Sequence, residues 1–123
     1  MSVFKEAVRC LVKIETAMNA IQDEDPRIFD AWEKVETAGK KDPEGVWDVL
    51  RNGSEDEFSA LCNCLPEIGG EFEDDNNRLE IMRIARRRLE NPQNHQNLMD
   101  GIKGGFGVRF QKFWDETEPD TNA

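Results

Sequence analysis

The chain has 123 residues, which suits a single domain with one hydrophobic core. Its formal net charge is −10 and its apolar runs are short, which argues against general nucleic-acid binding and against membrane insertion. Three cysteines, an odd number without a secretory signal, indicate reduced thiols and a cytoplasmic location.

The charge is distributed unevenly along the chain. Residues 1–75 carry a net −11, residues 76–114 carry a net +5, and residues 115–123 carry four acids and no base. An acidic body repels phosphates, but the basic stretch leaves room for a local basic face. The last eight residues, 116–123, are predicted to be a disordered acidic tail.

The first helix is predicted over residues 2–21. Its apolar residues follow one another at steps of three and four, which keeps them on one side of a helix: Phe4, Ala7, Leu11, Ile14, Met18 and Ile21. Apolar residues also occupy the flanking positions: Val3, Val8, Cys10 and Ala17. So wide a stripe favours a helix packed between two neighbours in a bundle, and the alternative interpretation is the seam of a homodimer.

Two further helices are marked by similar start and stop signals. Proline follows aspartate at residues 25–26 and at residues 42–43, a pattern typical of a helix start. Glycine is positioned to end each helix, at Gly39 and at Gly53.

A capping box opens the fourth helix, because Ser54 and Glu57 have the spacing at which each side chain bonds the other's backbone N–H. We expect this helix to end at Pro66 and a polar link to follow over residues 67–77. The acids of the link lack the Asp-x-Asp-x-Asp-Gly order of a calcium loop, so no metal is expected there.

The fifth helix, about residues 76–90, carries the strongest candidate for binding. Arg83, Arg86 and Arg87 are three and four residues apart and are predicted to share one side. One interpretation is a face for phosphates or for an acidic partner. The other is a solvated face that Glu80 and Glu90 partly neutralise.

Metal and catalytic sites are not expected. A sixth helix is predicted from Asn91-Pro92 to about Met99, and it carries the single histidine, His95. The cysteines Cys62 and Cys64 are one residue apart on a predicted helix, which is not the spacing of a zinc knuckle. Cys10 belongs to the apolar stripe, so neither a zinc site nor an activated Cys–His pair is predicted.

The last stretch combines glycines with aromatic residues. Periodicity does not decide between helix and strand here, and we favour a hinge at Gly104-Gly105 followed by a short helix over residues 108–115. The aromatic residues then form an arm, residues 103–115, that docks on its own core or associates with another copy: Phe106, Phe110, Phe113 and Trp114.

Together these patterns predict an all-α protein, a compact bundle of about five to seven helices around a long N-terminal helix, with one domain over residues 1–115. The predicted function is a non-enzymatic protein-interaction or regulatory protein that binds a protein partner or forms homo-oligomers through its first helix or its arm. The alternative is an RNA- or DNA-associated protein with a set of basic residues: Arg83, Arg86, Arg87, Lys103, Arg109 and Lys112. No cofactor, metal, membrane or small-molecule substrate is predicted.

Overall fold

The computed structural model describes residues 2–21, 26–90 and 95–117, without the side chains of residues 19–21, 95 and 97. The helix start predicted at Asp25, the helix boundary at Asn91-Pro92 and the tail beyond Thr117 lie outside the described residues, wholly or in part. So does the side chain of His95.

Within these ranges the chain is helical and contains no strand. The α-helices follow in order: α1 Val3–Ile21, α2 Arg27–Lys41, α3 Pro43–Asn52, α4 Glu55–Ile68, α5 Asp75–Leu89, α6 His95–Phe106 and α7 Phe110–Glu116. Short 3-10 turns occupy Gly70–Glu73 and Gly107–Arg109. The predicted all-α bundle is confirmed. None of the helices in the described part combines the length and the apolar character needed to cross a bilayer.

Helix α1 packs between α2 and α4 and also contacts α3. Its buried side is centred on Phe4, Val8 and Leu11, while Ala7 and Ile14 are only half-buried. The buried side of α1 therefore differs from the predicted side: it is rotated around the helix axis toward Val8 and away from Ala7 and Ile14. The reason is the position of the neighbouring helices, which cover only part of the apolar surface of α1.

Helix α4 is the most enclosed element, because α1, α2, α3 and α6 all pack against it. Its capping box is confirmed: Ser54 Oγ accepts from Glu57 N at 3.1 Å, and Ser54 N donates to Glu57 Oε1 at 2.9 Å. Pro66 does not end the helix as predicted. It lies in the last turn, where its missing N–H removes one hydrogen bond, and α4 continues to Ile68.

The predicted hinge at Gly104-Gly105 is wrong. Helix α6 runs through both glycines to Phe106, and the backbone leaves the helix at Gly107, whose φ is 59°. The glycines instead permit close packing on α4: a Cβ on Gly101 would lie 2.9 Å from Ser59 Cβ, and one on Gly105 would lie 2.4 Å from Cys62 O. Helix α7 then folds back so that Phe106 and Phe113 are buried in this chain's own core.

Candidate interaction surfaces

The arginines of α5 do not form one face. Arg83 and Arg87 are exposed and share Glu80, at 3.5 Å and 3.6 Å. Arg86 turns away from them, since its guanidinium lies 3.7 Å from the centre of the Trp114 ring and donates to Thr117 Oγ1 at 3.0 Å. The prediction that Arg86 shares a side with Arg83 and Arg87 is wrong, because α7 packs against α5 and engages Arg86.

Three arginines of α5 face inward and hold the C-terminal ends of other helices. Their acceptors lie in the last turns of α6, α7 and α3: Arg78 donates to Gly105 O at 2.9 Å, Arg86 to Trp114 O, and Arg88 to Leu50 O at 3.0 Å. Each also lies over a ring, those of Phe106, Trp114 and Phe58. A cation at the negative end of a helix and over an aromatic face stabilises both contacts. These arginines therefore fasten the fold.

Sequence reasoning did not single out Arg78, which is only 3% exposed. Burial lowers the pKa of its guanidinium, and so does the nearby Arg109. A signal was present in the sequence, since Arg78 precedes Ile81, Met82 and Ala85 at helical spacing and so belongs to the buried stripe of α5.

The other predicted basic residues are dispersed around α6 and α7. Lys103 Nζ lies 5.7 Å from the centre of the Phe110 ring, and Lys112 Nζ lies 5.6 Å from that of Phe113. Arg109 Nη1 forms an ion pair with Asp75 at 3.3 Å. Acids or rings of the same chain therefore already contact each of these cations.

The aromatic residues of the arm divide into two pairs. Phe106 and Phe113 are buried, with ring centres 5.5 Å apart. Phe110 and Trp114 are half-buried and stack on each other at 5.5 Å with an interplanar angle of 23°. Lys103 lies over Phe110 and Arg86 over Trp114, so each ring of this pair has both the other ring and a cation as neighbours. A nucleic-acid base that stacks on either ring would compete with these neighbours.

All three cysteines lie in the described ranges, and their environments differ. Cys62 and Cys64 are buried, and burial raises the pKa of each thiol to about 12. Both are therefore thiols at neutral pH rather than nucleophilic thiolates. Cys10 is exposed, which corrects the expectation that it lies in the core. No group of three or more histidine, cysteine, aspartate or glutamate residues in the described part is placed to hold a metal ion.

A groove runs along the outer side of the contact between α1 and α2. Its two overlapping parts have volumes of about 470 and 610 Å³. Apolar residues of α1 line it at steps of four and three: Val3, Ala7, Cys10, Ile14 and Ala17. We call this set the outer stripe. Helix α2 contributes Ala31 and Ala38 and the stems of Lys34 and Lys41 to the opposite wall.

The outer stripe is open to solvent along much of its length. Val3 is 78% exposed, Cys10 and Ala17 are exposed, and Ala7 and Ile14 are half-buried. The charged residues that line the groove have both signs: Glu6, Asp30 and Glu33 against Lys13, Arg27, Lys34 and Lys41. This near balance differs from the chain as a whole, whose net charge is −10.

No protein-family model, curated protein or solved structure matches this chain. Two parts of the described structure are candidate binding surfaces. The basic residues of α5, α6 and α7 form no common face, and each of the predicted ones contacts an acid or a ring of the same chain. The α1–α2 groove is lined by the outer stripe, in which Val3, Cys10 and Ala17 are exposed and Ala7 and Ile14 are half-buried, and by charged side chains of both signs.

A second, polar pocket of about 200 Å³ lies where α1, α4 and α6 meet, with Glu15 in its wall. Burial raises the pKa of the Glu15 carboxyl from its ordinary 4.5, the indole of Trp32 partly offsets that rise, and Asp56 adds to it. The Trp32 Nε1 atom is itself buried without a hydrogen-bond partner of normal geometry. The groups that shift the pKa of Glu15 include no cation, so no opposite charge stabilises this partly buried carboxylate.

Proposed function

We propose that this protein is a non-enzymatic interaction or regulatory protein, that the α1–α2 groove is its binding surface, and that a second copy of the chain is the partner. The observation that supports the proposal is the outer stripe of α1. Contiguous exposed apolar residues with a polar rim are typical of interaction sites.

The charge of the groove favours a second copy as its occupant. Two molecules that each carry −10 repel one another when their acidic faces approach. The groove has acids and bases in near balance, so two copies that meet there bring both signs within reach of each other. Among the faces of the protein, the groove thus combines uncovered apolar surface with little electrostatic cost.

Self-association through the arm has less support. Phe106 and Phe113 are 5% and 1% exposed, so α7 would have to leave the core before they contact a second copy. If α7 left the core, the contacts of Arg86 with Trp114 and Thr117 would also break.

Nucleic-acid binding has less support as well, because Arg83 and Arg87 share Glu80 and the half-buried rings already stack on cations. A filter-binding titration with single-stranded RNA and DNA at low salt tests it. We expect a flat curve. Binding that falls steeply with salt and is lost in Arg83→Glu/Arg87→Glu would instead support the alternative.

Light scattering across a protein concentration series tests the proposed function. We expect the mass to rise from 14.1 kDa toward that of a dimer, and Val3→Glu to keep the protein monomeric. Val108→Glu is the matched control, because Val108 is fully exposed in the turn before α7 and lies outside the groove. A wild-type chain that stays monomeric at every concentration, or equal effects of the two substitutions, would refute the proposal.

A further inference from the structure

We infer that two copies of α1 pair antiparallel along the outer stripe, in the register that places Ala7 of each copy opposite Cys10 of the other. This inference rests on the proposed function and specifies its geometry. The spacing of the outer stripe, in alternating steps of four and three, is that of a helix–helix seam.

The pattern of side-chain size fits an antiparallel pair. With the two-fold axis midway between Ala7 and Cys10, Val3 of each copy faces Ile14 of the other. Small side chains then lie at the centre of the seam, where they let the backbones approach, and larger ones lie at its ends. Val3, which is 78% exposed, thereby gains an apolar neighbour.

The flanking charges distinguish this register from its neighbour. In it, Glu6 of each copy lies beside Lys13 of the other, so two opposite-charge pairs form about the axis. Sliding the helices by one seven-residue repeat instead places Ala7 opposite Ala17 and brings the two Lys13 side chains together. That register exchanges the two attractions for one repulsion.

Helix α2 completes the interface, since the groove lies between α1 and α2. The second copy's α1 therefore contacts both walls, and the two α1–α2 pairs form a four-helix arrangement. Asp30 and Lys34 of α2 line both parts of the groove, so each sign is available to the incoming Glu6 and Lys13.

Charge exchange tests the register directly. Glu6→Lys or Lys13→Glu alone turns both attractive pairs into repulsive ones, and we expect each to raise the dissociation constant of the dimer about tenfold. The two single variants mixed together form two attractive pairs again, and so does the Glu6→Lys/Lys13→Glu double variant. Sedimentation equilibrium should therefore show wild-type affinity for the mixture and for the double variant.

Native Cys10 supplies a second readout. In this register the two Cys10 residues are three positions apart along the seam, about 4.5 Å in rise, and the other two cysteines are buried with the pKa of each raised to about 12. A short bis-maleimide should therefore link two copies through Cys10. The yield of cross-linked dimer should fall in either single variant and return to the wild-type level in the mixture.

The charge controls are Lys40→Glu and Glu44→Lys, both exposed and outside the groove, and we expect neither to change association.

The outcomes separate the two proposals. A wild-type chain that is monomeric and is not cross-linked overturns both the proposed function and the register. A wild-type dimer in which the single variants are unaffected, or in which mixing them restores nothing, overturns the register alone. Far-UV circular dichroism of each variant verifies that the helices are intact, so that a loss of association reports on the interface.

Discussion

Adding one methyl group at either of two adjacent glycines should have opposite effects on stability. A Cβ at position 105 would lie 2.4 Å from the carbonyl oxygen of Cys62 and 2.9 Å from its carbon, both in the backbone of α4. A Cβ at position 104 would lie 2.4 Å from Asn63 Oδ1, the end of an exposed side chain that can rotate away. Only the first clash requires two helices to separate.

The expected magnitudes follow from these contacts. Alanine in a helix interior is favoured over glycine by about 1 kcal/mol, and Gly104→Ala should retain most of that gain. For Gly105→Ala, forced overpacking costs about 1–3 kcal/mol, because α6 must move off α4 and loosen the packing of Leu98 and Ile102. We expect the free energy of unfolding to fall by about 2 kcal/mol for Gly105→Ala and to rise by up to about 1 kcal/mol for Gly104→Ala.

Urea unfolding followed by circular dichroism measures this difference. With a slope of about 1.5 kcal/mol per molar urea for a chain of this size, the two midpoints should differ by about 2 M. Equal midpoints, or a Gly105→Ala protein more stable than the wild type, would refute the close crossing of α4 and α6.

Three further predictions concern the inward arginines, the thiols and Glu15. Arg86→Ala should lower the free energy of unfolding, measured in urea, by about 1–3 kcal/mol, because it removes the ring contact with Trp114 and two hydrogen bonds. Arg83→Ala, at an exposed position, should change it by less than about 0.5 kcal/mol. Equal losses would contradict the conclusion that Arg86 stabilises the fold and Arg83 does not. A disulfide reagent at pH 8 should modify one thiol per folded chain, Cys10, and three in urea, and rapid reaction of a second thiol would show that the α4 cysteines are accessible. The pKa of Glu15 is raised in the folded state, so its contribution to stability is full below about pH 4.5 and is lost as pH rises through the folded pKa. In urea titrations, Glu15→Gln should therefore stabilise the protein at pH 7 but not at pH 4. An equal change in stability at both pH values would exclude the titration of Glu15 as the cause.

Helix starts were predictable from local chemistry where a side chain caps the first turn, whereas two local stop signals failed, because α2 runs through Gly39 to Lys41 and α4 runs through Pro66 to Ile68. The Ser54–Glu57 capping box lies where the sequence places it, and Asp42 caps α3 by accepting from Gly45 N at 3.0 Å. Each such signal depends on hydrogen bonds within one turn of helix, so no tertiary information is needed to recognise it.

The glycines of α6 show where local reasoning fails. Propensity alone predicts a break at Gly104-Gly105, but packing on α4 keeps both residues helical. Glycine is favourable there because a distant segment approaches its backbone, and that approach leaves no pattern in the residues around position 105. The helix instead ends at Gly107, which has a positive φ. Glycine allows a positive φ, but its presence in the sequence does not show that the backbone adopts one.

The candidate surfaces were predicted unequally for the same reason. The apolar width of α1 was visible in its spacing, but the choice of which residues stay uncovered depends on where α2 and α4 pack. The basic residues of α5 were visible as a cluster, yet their directions depend on α7, which draws Arg86 toward Trp114. The sequence identified the apolar residues of α1 and the basic residues of α5 but not the α2 wall of the groove, and tertiary contacts decided which side chains face solvent.

The three arginines that fasten helix ends also alter the electrostatic shell of the molecule. Arg78 is buried and Arg86 and Arg88 are half-buried, so three of the 16 basic side chains are directed into the fold, while the formal net charge of the molecule is −10. At low ionic strength the net negative charge makes identical molecules repel one another, and at physiological ionic strength screening shortens the range of this repulsion to about 8 Å. The arginines that stabilise the packing of the helices are thus less available at the surface to balance its acids.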